Sequence, residues 1–327
     1  MSSKFIISLD YELLWGMRDH ASIASYGDAI LGGRTAIPLM LERFRAHGIR
    51  ATWATVGLLF ARNQREMLDY APQLRPAYRN KVLDPYPQVA DLAGQDEASA
   101  PHFFGRSLID RIAETEGQEL GCHSYTHYFC MEEGQTPAQF KADIAACLAI
   151  AKDAGHAMKT LVFCRNQWRD TYVDAIADLG LIGFRGNPGG FLYRARPASG
   201  NTNLVRALRL ADGALPLVGN TAFNRVERTR GVWNVPASRF LRPWSPGMAA
   251  YNALHVRRIK REMTQAARTG SHYHLWWHPH NMGRHSQGNL AQLDALLAHF
   301  RILQERHGMQ SATMADMAEE AQREAGG

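Results

Sequence analysis

The chain is 327 residues long, 46% hydrophobic and 21% charged, the balance of an ordinary soluble globular enzyme. Its formal net charge is +6, yet the basic residues are scattered. The one dense run, Arg257-Arg258-Ile259-Lys260-Arg261, falls in an amphipathic helix and reads as a solvated face, so no nucleic-acid partner is expected. No stretch approaches the roughly 20 apolar residues of a membrane span, and the N-terminal apolar run is too short for a signal peptide. The four cysteines (Cys122, Cys130, Cys147, Cys164) lack CxxC or metal-finger spacing, which with the rest predicts a reduced, cytoplasmic protein.

In chain order, residues 4–9 form a short apolar run followed by Asp10-Tyr11-Glu12, a buried strand whose C-terminal end presents carboxylates. In α/β barrels that end of a strand is where chemistry is placed. A loop carrying Gly16, Gly32 and Gly33 follows. Ile37, Leu39, Met40, Leu41 and Phe44 then give helical periodicity up to a Gly48 C-cap, and residues 49–56 alternate as a second strand. Strand, helix and strand with glycine stops is the pattern of a parallel sheet covered by helices. Residues 58 to about 106, rich in proline, read as a loop-rich insert above the sheet, a lid or a substrate-contacting segment.

A helix over 107–116 leads to a strand at Gln118–Cys122, and Thr136 with Pro137 opens a helix reaching residue 154. Strands at 161–165 and 182–185 flank a helix over 172–179. From 186 to 231 periodicity is poor; this stretch and the insert are expected to shape a pocket. A short strand at Val232–Pro236, a basic helix over 251–268 and an aromatic strand over 271–277 follow, the last ending in His278-Pro279-His280-Asn281. Helices over 290–304 and 310–321 close the chain, and with no internal repeat one domain over 1–327 is the economical reading.

His123 and His127 sit four apart in Gly121-Cys122-His123-Ser124-Tyr125-Thr126-His127. On a helix that spacing stacks both imidazoles on one face, where they can share an ion; zinc, iron, nickel and copper all suit imidazole. Fourteen histidines in 327 residues produce such pairs by chance, so the pair alone decides nothing. The recurrence carries more weight. Successive predicted strand ends bear Asp10/Glu12, His123/His127, Arg165/Asn166/Gln167 and His278/His280. A carboxylate and two histidines leave coordination positions open for water or substrate. A second carboxylate can serve as base, an arginine can keep it ionised, and a further histidine can act as acid.

In order and spacing these sets resemble the motifs of the polysaccharide deacetylase (NodB-homology, carbohydrate esterase 4-like) superfamily of metal-dependent N- and O-deacetylases. Ser8-Leu9-Asp10-Tyr11-Glu12 looks like its first motif, and His123-Ser124-Tyr125-Thr126-His127 is close to its H-[ST]-x-x-H metal motif. Phe163-Cys164-Arg165 looks like its arginine motif and Leu275-Trp276-Trp277-His278-Pro279 like its final histidine motif. The resemblance implies an α/β fold, an irregular (β/α)7-type barrel. It also implies a hydrolase that removes N-acetyl or O-acetyl groups from a sugar or glycan precursor by attack of a metal-bound water. One divalent ion, zinc, would be held by Asp10, His123 and His127.

The family's first motif has two adjacent aspartates, whereas here Tyr11 stands second and Glu12 third. Asp10 is accordingly assigned to the metal first and to the base second, with Glu12 as the other partner; strand alternation points both carboxylates the same way. Arg165 would keep the base carboxylate charged and His278 would protonate the leaving amine. A backbone N–H near Tyr11 or Tyr128 would stabilise the oxyanion. Trp15, Asn166, His280 and Asn281 are the expected substrate contacts, with Trp168, Trp244 and Trp276 as further surfaces for a sugar ring. Two other readings fit the chain: a hydrolase of a small cyclic amide or imide on the same fold, and a catalytically degenerate carbohydrate-binding protein.

Overall fold

The computed structural model describes residues 2–326. β1 (Lys4–Tyr11) is buried along its length after Lys4, as an unbroken apolar run requires of a strand covered on both faces. α1 (Ile23–His47) and β2 (Ala51–Thr55) follow, and α2 (Gln64–Asp69), α3 (Tyr86–Ala90) and α4 (Arg106–Ala113) precede β3 (Gln118–Cys122). Next come α5 (Pro137–Asp153), β4 (Thr160–Val162), α6 (Asp170–Ile176), β5 (Gly183–Gly186) and α7 (Asn203–Ala214). β6 (Glu227–Thr229), β7 (Val232–Pro236), β8 (Arg239–Phe240), α8 (Ala249–Thr269) and β9 (Tyr273–Trp277) lead to α9 (Ser286–His307), β10 (Gln310–Ala312) and α10 (Met314–Gly326).

The strands form one sheet in the order β6-β7-β5-β4-β3-β2-β1-β9-β8, parallel except for the β6–β7 hairpin, with β10 paired to the start of β1. This mixed α/β sheet curls into a half-barrel. The pairs Leu9–Trp277, Tyr11–Thr55 and Thr55–Cys122 bring the ends of β9, β1, β2 and β3 level. Asp10, His123 and His278 therefore emerge at one edge.

Alternation along β1 sorts its side chains between two environments. Phe5, Ile7, Leu9 and Tyr11 join the main core with Met40 and Phe44 of α1 and Leu293 and Phe300 of α9. Ile6 packs instead with Ala54, Val162, Val235, Met314 and Met317, so α10 plugs one end of the half-barrel. There Glu119 accepts the hydroxyl hydrogens of Thr52 and Thr160 at 2.6 and 2.5 Å and the N–H of Ala315 at 3.1 Å. Ser8 and then Asp10 continue the Ile6 side toward the other end, which holds the polar residues.

Five sequence expectations change, the simplest being that residues 310–312, read as the start of a helix, form β10. The glycine loop at 32–33 is the middle of α1, which starts at a Ser22 capping box. A Cβ on Gly33 would lie 2.6 Å from His280 Cα, and one on Gly32 would lie 2.4 Å from the Gly283 carbonyl oxygen. These glycines let the 278–283 turn sit directly on the helix. The insert at 58–106 contains α2 and α3 and buries Tyr78, Leu83, Phe103 and Phe104. The weakly patterned 186–231 stretch contains α7 and β6. On α8 the basic run is not uniformly solvated: Arg258 turns inward, its Nε 3.0 Å from Glu262 Oε1. Among the described residues no helix is long and apolar enough to cross a membrane, and all four cysteines are buried and unpaired.

Candidate active site

His123 and His127 meet, but not on a helix. Residues 123–128 are irregular, with left-handed backbone at Ser124 (φ 60°) and His127 (φ 56°). Asp143 of α5 organises this loop, accepting the N–H of Tyr125 at 2.6 Å and of Thr126 at 3.3 Å and the Thr126 hydroxyl at 2.6 Å. Ser124 Oγ accepts the N–H of Tyr128 at 2.7 Å, so that N–H is not free to stabilise an oxyanion. The two rings end 5.1 Å apart between centroids. His123 Nδ1 donates to the Val162 carbonyl at 2.8 Å, which leaves Nε2 as the bare nitrogen.

That nitrogen faces Glu12, not Asp10. Glu12 Oε2 lies 3.4 Å from His123 Nε2 and 3.0 Å from His127 Nε2, and all three side chains are buried. Donors about 2.0–2.1 Å from a tetrahedral ion stand about 3.3 Å from one another, so the two contacts of Glu12 have the spacing of neighbours in a coordination shell. His123 Nε2 and His127 Nδ1 are buried without a hydrogen-bond partner. Two imidazoles and a carboxylate packed this way suit a divalent cation. Two further groupings share these residues: Cys164 with the two histidines, its thiol donating to the His123 carbonyl at 3.4 Å, and Glu12 with His278 and His280. Gly16 makes room for Glu12, since a Cβ there would lie 2.0 Å from its Cδ.

Asp10 is held elsewhere. Arg185, fully buried at the end of β5, grips it with Nη1 on Oδ1 at 2.6 Å and Nη2 on Oδ2 at 2.8 Å. The same guanidinium donates to Ser8 Oγ at 3.0 Å and Asn166 Oδ1 at 3.1 Å and stacks over Trp276 at 4.3 Å. Burial alone would raise the Asp10 pKa, but Arg185 and then His123 hold it below the usual value. Burial likewise opposes ionisation of Glu12, and His278 and His127 outweigh it, keeping the carboxyl well below its ordinary range.

His278 Nε2 stands 3.7 Å from both Asp10 Oδ2 and Glu12 Oε1, with its Nδ1 paired to Asn281 Oδ1 at 3.2 Å. Behind it His280 stacks at 5.0 Å; burial, and next the neighbouring His278, push it down to about 3, so it is neutral.

The expected residues thus divide. Asp10, Glu12, His123, His127, His278, His280 and Asn281 converge. The Asp10 carboxylate lies on Arg185, not among the histidine pair, so the structure does not favour the Asp10-first metal assignment. Arg165 pairs with Asp19 instead of either carboxylate, because left-handed backbone at Arg165 (φ 56°) turns the chain out of β4. Asn166 reaches the site through Arg185. Trp15 is fully buried, its indole N–H donating to the Phe103 carbonyl at 2.8 Å, and cannot contact substrate. Sequence reasoning passed over Arg185, although a lone charge closing the apolar run Ile182-Gly183-Phe184 was the available signal.

Asp10, Glu12, His127, His278 and Trp276 open into a cavity of about 630 Å³. Its other walls come from segments 16–20, 165–167 and 187–213 and from Arg239, Phe240 and Arg242, with nothing from the 58–106 insert. No protein-family model matches the sequence and no curated protein matches it. The fold is similar to a Mycobacterium smegmatis structure assigned as a polysaccharide deacetylase (TM-score 0.63, 11% identity, 99% of this chain and 91% of that one). It is also similar to a GH57 branching enzyme of Thermococcus kodakaraensis (TM-score 0.57, 13% identity, 98% and 71%) and to an α-amylase of Thermotoga maritima (TM-score 0.52, 12% identity, 98% and 75%).

Proposed function

We propose that the chain is a metal-dependent hydrolase that removes an N-acetyl or O-acetyl group from a sugar or glycan precursor. In this reading it is one catalytic domain over residues 1–327, an irregular (β/α)7-type barrel with an insert at about 58–106. The observation that carries the reading is the Glu12–His123–His127 cluster beside an Arg185-held Asp10 and within 3.7 Å of His278. Glu12, His123 and His127 would hold one divalent ion, and zinc, which needs no redox partner for hydrolysis, suits two imidazoles and a carboxylate. Bound there, such an ion supplies Lewis acidity toward an acyl carbonyl and a lowered pKa for water.

The chain's own residues do the rest. Asp10, kept ionised and fixed by Arg185, takes the proton from the attacking water. His278, oriented through Nδ1 by Asn281, delivers a proton from Nε2 to the departing nitrogen or oxygen. Trp276, at the cavity wall, offers the sugar an apolar face.

The test is acetate release from a panel of N-acetylated and O-acetylated sugars by zinc-loaded protein. The wild type should release acetate, and His278→Ala should lower kcat by about 10²–10⁴-fold. Ring opening of cyclic amides without acetate release would replace the deacetylase reading by an amidohydrolase one.

A further inference from the structure

One arm of the cavity is built from arginine. Arg194 and Arg196 follow β5, Arg206 and Arg209 lie on α7, and Arg242 follows β8. Among the described residues none of the five has a carboxylate within 4.0 Å, whereas Arg165 and Arg239 in the same wall are matched by Asp19 and by Asp212 with Glu262. Three of the unmatched guanidiniums are fixed in place, Arg196 by donating from Nη2 to the Phe191 carbonyl at 3.0 Å. Arg209 donates from Nε to the Leu192 carbonyl at 3.1 Å and from Nη1 to Asn201 Oδ1 at 3.2 Å. Arg242 donates from Nη2 to the Arg209 carbonyl at 2.8 Å. Its backbone N–H donates to His255 Nε2 at 3.2 Å, and His255 Nδ1 is tied in turn to the Gly213 carbonyl at 2.8 Å.

Their charges are felt. Burial first, and also the Arg196 and Arg242 charges, pull Arg209 below its ordinary pKa. Like charges anchored side by side without a counter-charge are unfavourable unless a ligand supplies it. Planar guanidinium forks match phosphate oxygens in pairs. A neutral glycan would leave them uncompensated.

We propose that this arm is an anion subsite for a phosphate or diphosphate group, so that the acylated sugar is presented on a phosphorylated carrier. The sugar half rests on the hydrolase reading above; the anion half does not. A nucleoside diphosphate and a polyprenyl phosphate offer the same group.

The test is calorimetric titration of inorganic pyrophosphate into protein stripped of metal by chelation. It is repeated on His127→Ala and on an Arg194→Ala/Arg206→Ala double variant, whose exposed guanidiniums make no hydrogen bond within the described chain. Wild type and His127→Ala should bind alike, and the double variant about tenfold more weakly or worse. Arg194→Lys/Arg206→Lys should regain part of the affinity. No binding by stripped wild type, or equal binding by the double variant, would overturn the subsite. Binding lost only in His127→Ala would place the anion at the histidine pair and also overturn it. Titration with uridine diphosphate and co-sedimentation with polyprenyl-phosphate vesicles then identify the carrier. Tighter binding of either than of pyrophosphate supports the proposal, and failure of both overturns its carrier half. Metal content and acetate release are read separately, so the hydrolase reading can fail while the anion subsite stands.

Discussion

Replacing Arg185 by methionine should cost about 3–5 kcal/mol of stability, the range for removing one partner of a buried ion pair. Arg185 is fully buried, spends two bonds of 2.6 and 2.8 Å on Asp10, and is sandwiched against Trp276. Methionine fills much of the space, so the loss comes from stranding the Asp10 carboxylate, not from a cavity. Three comparisons make the reasoning exposed to failure in urea unfolding. Asp10→Asn in the Arg185→Met background should recover about 1–3 kcal/mol, since the stranded charge is gone. Arg165→Met should cost at most about 1 kcal/mol, because its pair with Asp19 is partly solvated at 23% and 13% side-chain exposure. The third comparison is pH. Asp10 is held below its ordinary pKa in the native protein, so its pairing contributes stability above the unfolded pKa and loses it as pH falls through the native value. In Arg185→Met burial is opposed only by His123 and His278, so the Asp10 pKa rises relative to the wild type. The deficit of the variant should therefore shrink as the pH is lowered from 8 toward 4. A deficit equal to that of Arg165→Met, independent of pH and not relieved by Asp10→Asn, would refute the assignment of Arg185 to Asp10.

Gly16→Ala should weaken zinc affinity by roughly 10–100-fold in a chelator competition, because the new Cβ displaces the carboxylate end of Glu12 from the two histidines. Asp143, under the histidine loop, is pushed up to about 6 by burial against its bonds to Thr126 and Tyr125. Its protonated form favours the folded state below the unfolded pKa, a contribution of about 3 kcal/mol that is lost as pH rises through about 6. Asp143→Asn should flatten that decline between pH 4 and 7, and parallel stability curves would show that the carboxyl does not titrate there. Gly33→Ala pushes a Cβ to 2.6 Å from the His280 backbone and should cost about 1–3 kcal/mol in urea unfolding while shifting the 278–283 turn.

What the sequence showed and what it hid follow from where information resides. β3 and β7 have the read bounds, Gln118–Cys122 and Val232–Pro236; β7 is marked by its own β-formers Val232, Trp233 and Val235 between Gly231 and Pro236, whereas β3 is marked by its place between a helix and the histidine pair. α7 was hidden because it lies among Pro197, Gly200, Gly213 and Pro216, a density of helix breakers that reads as loop, and because only Asp212 and Gly213 of its residues are buried. The glycines of α1 looked like a loop because glycine is a poor helix former, and only the turn packed on them explains why they are there. At the site, the residues that end parallel strands were legible as a set, since the strand C-termini of such a sheet converge. Their pairing was not. Which arginine meets which carboxylate depends on the backbone turn at Arg165 and on the β4–β5 register, neither of which a motif encodes. That Glu12 and not Asp10 faces the histidine pair has the same origin: Glu12 lies beyond the end of β1 and bends toward the histidines over Gly16.

The measurement that bears most directly on the account is the zinc content of the purified protein after metal loading and gel filtration, compared with Glu12→Ala and Asp10→Asn. About one equivalent is expected in the wild type and in Asp10→Asn, and none in Glu12→Ala. Zinc retained by Glu12→Ala but lost from Asp10→Asn, or bound by none of the three, would contradict it.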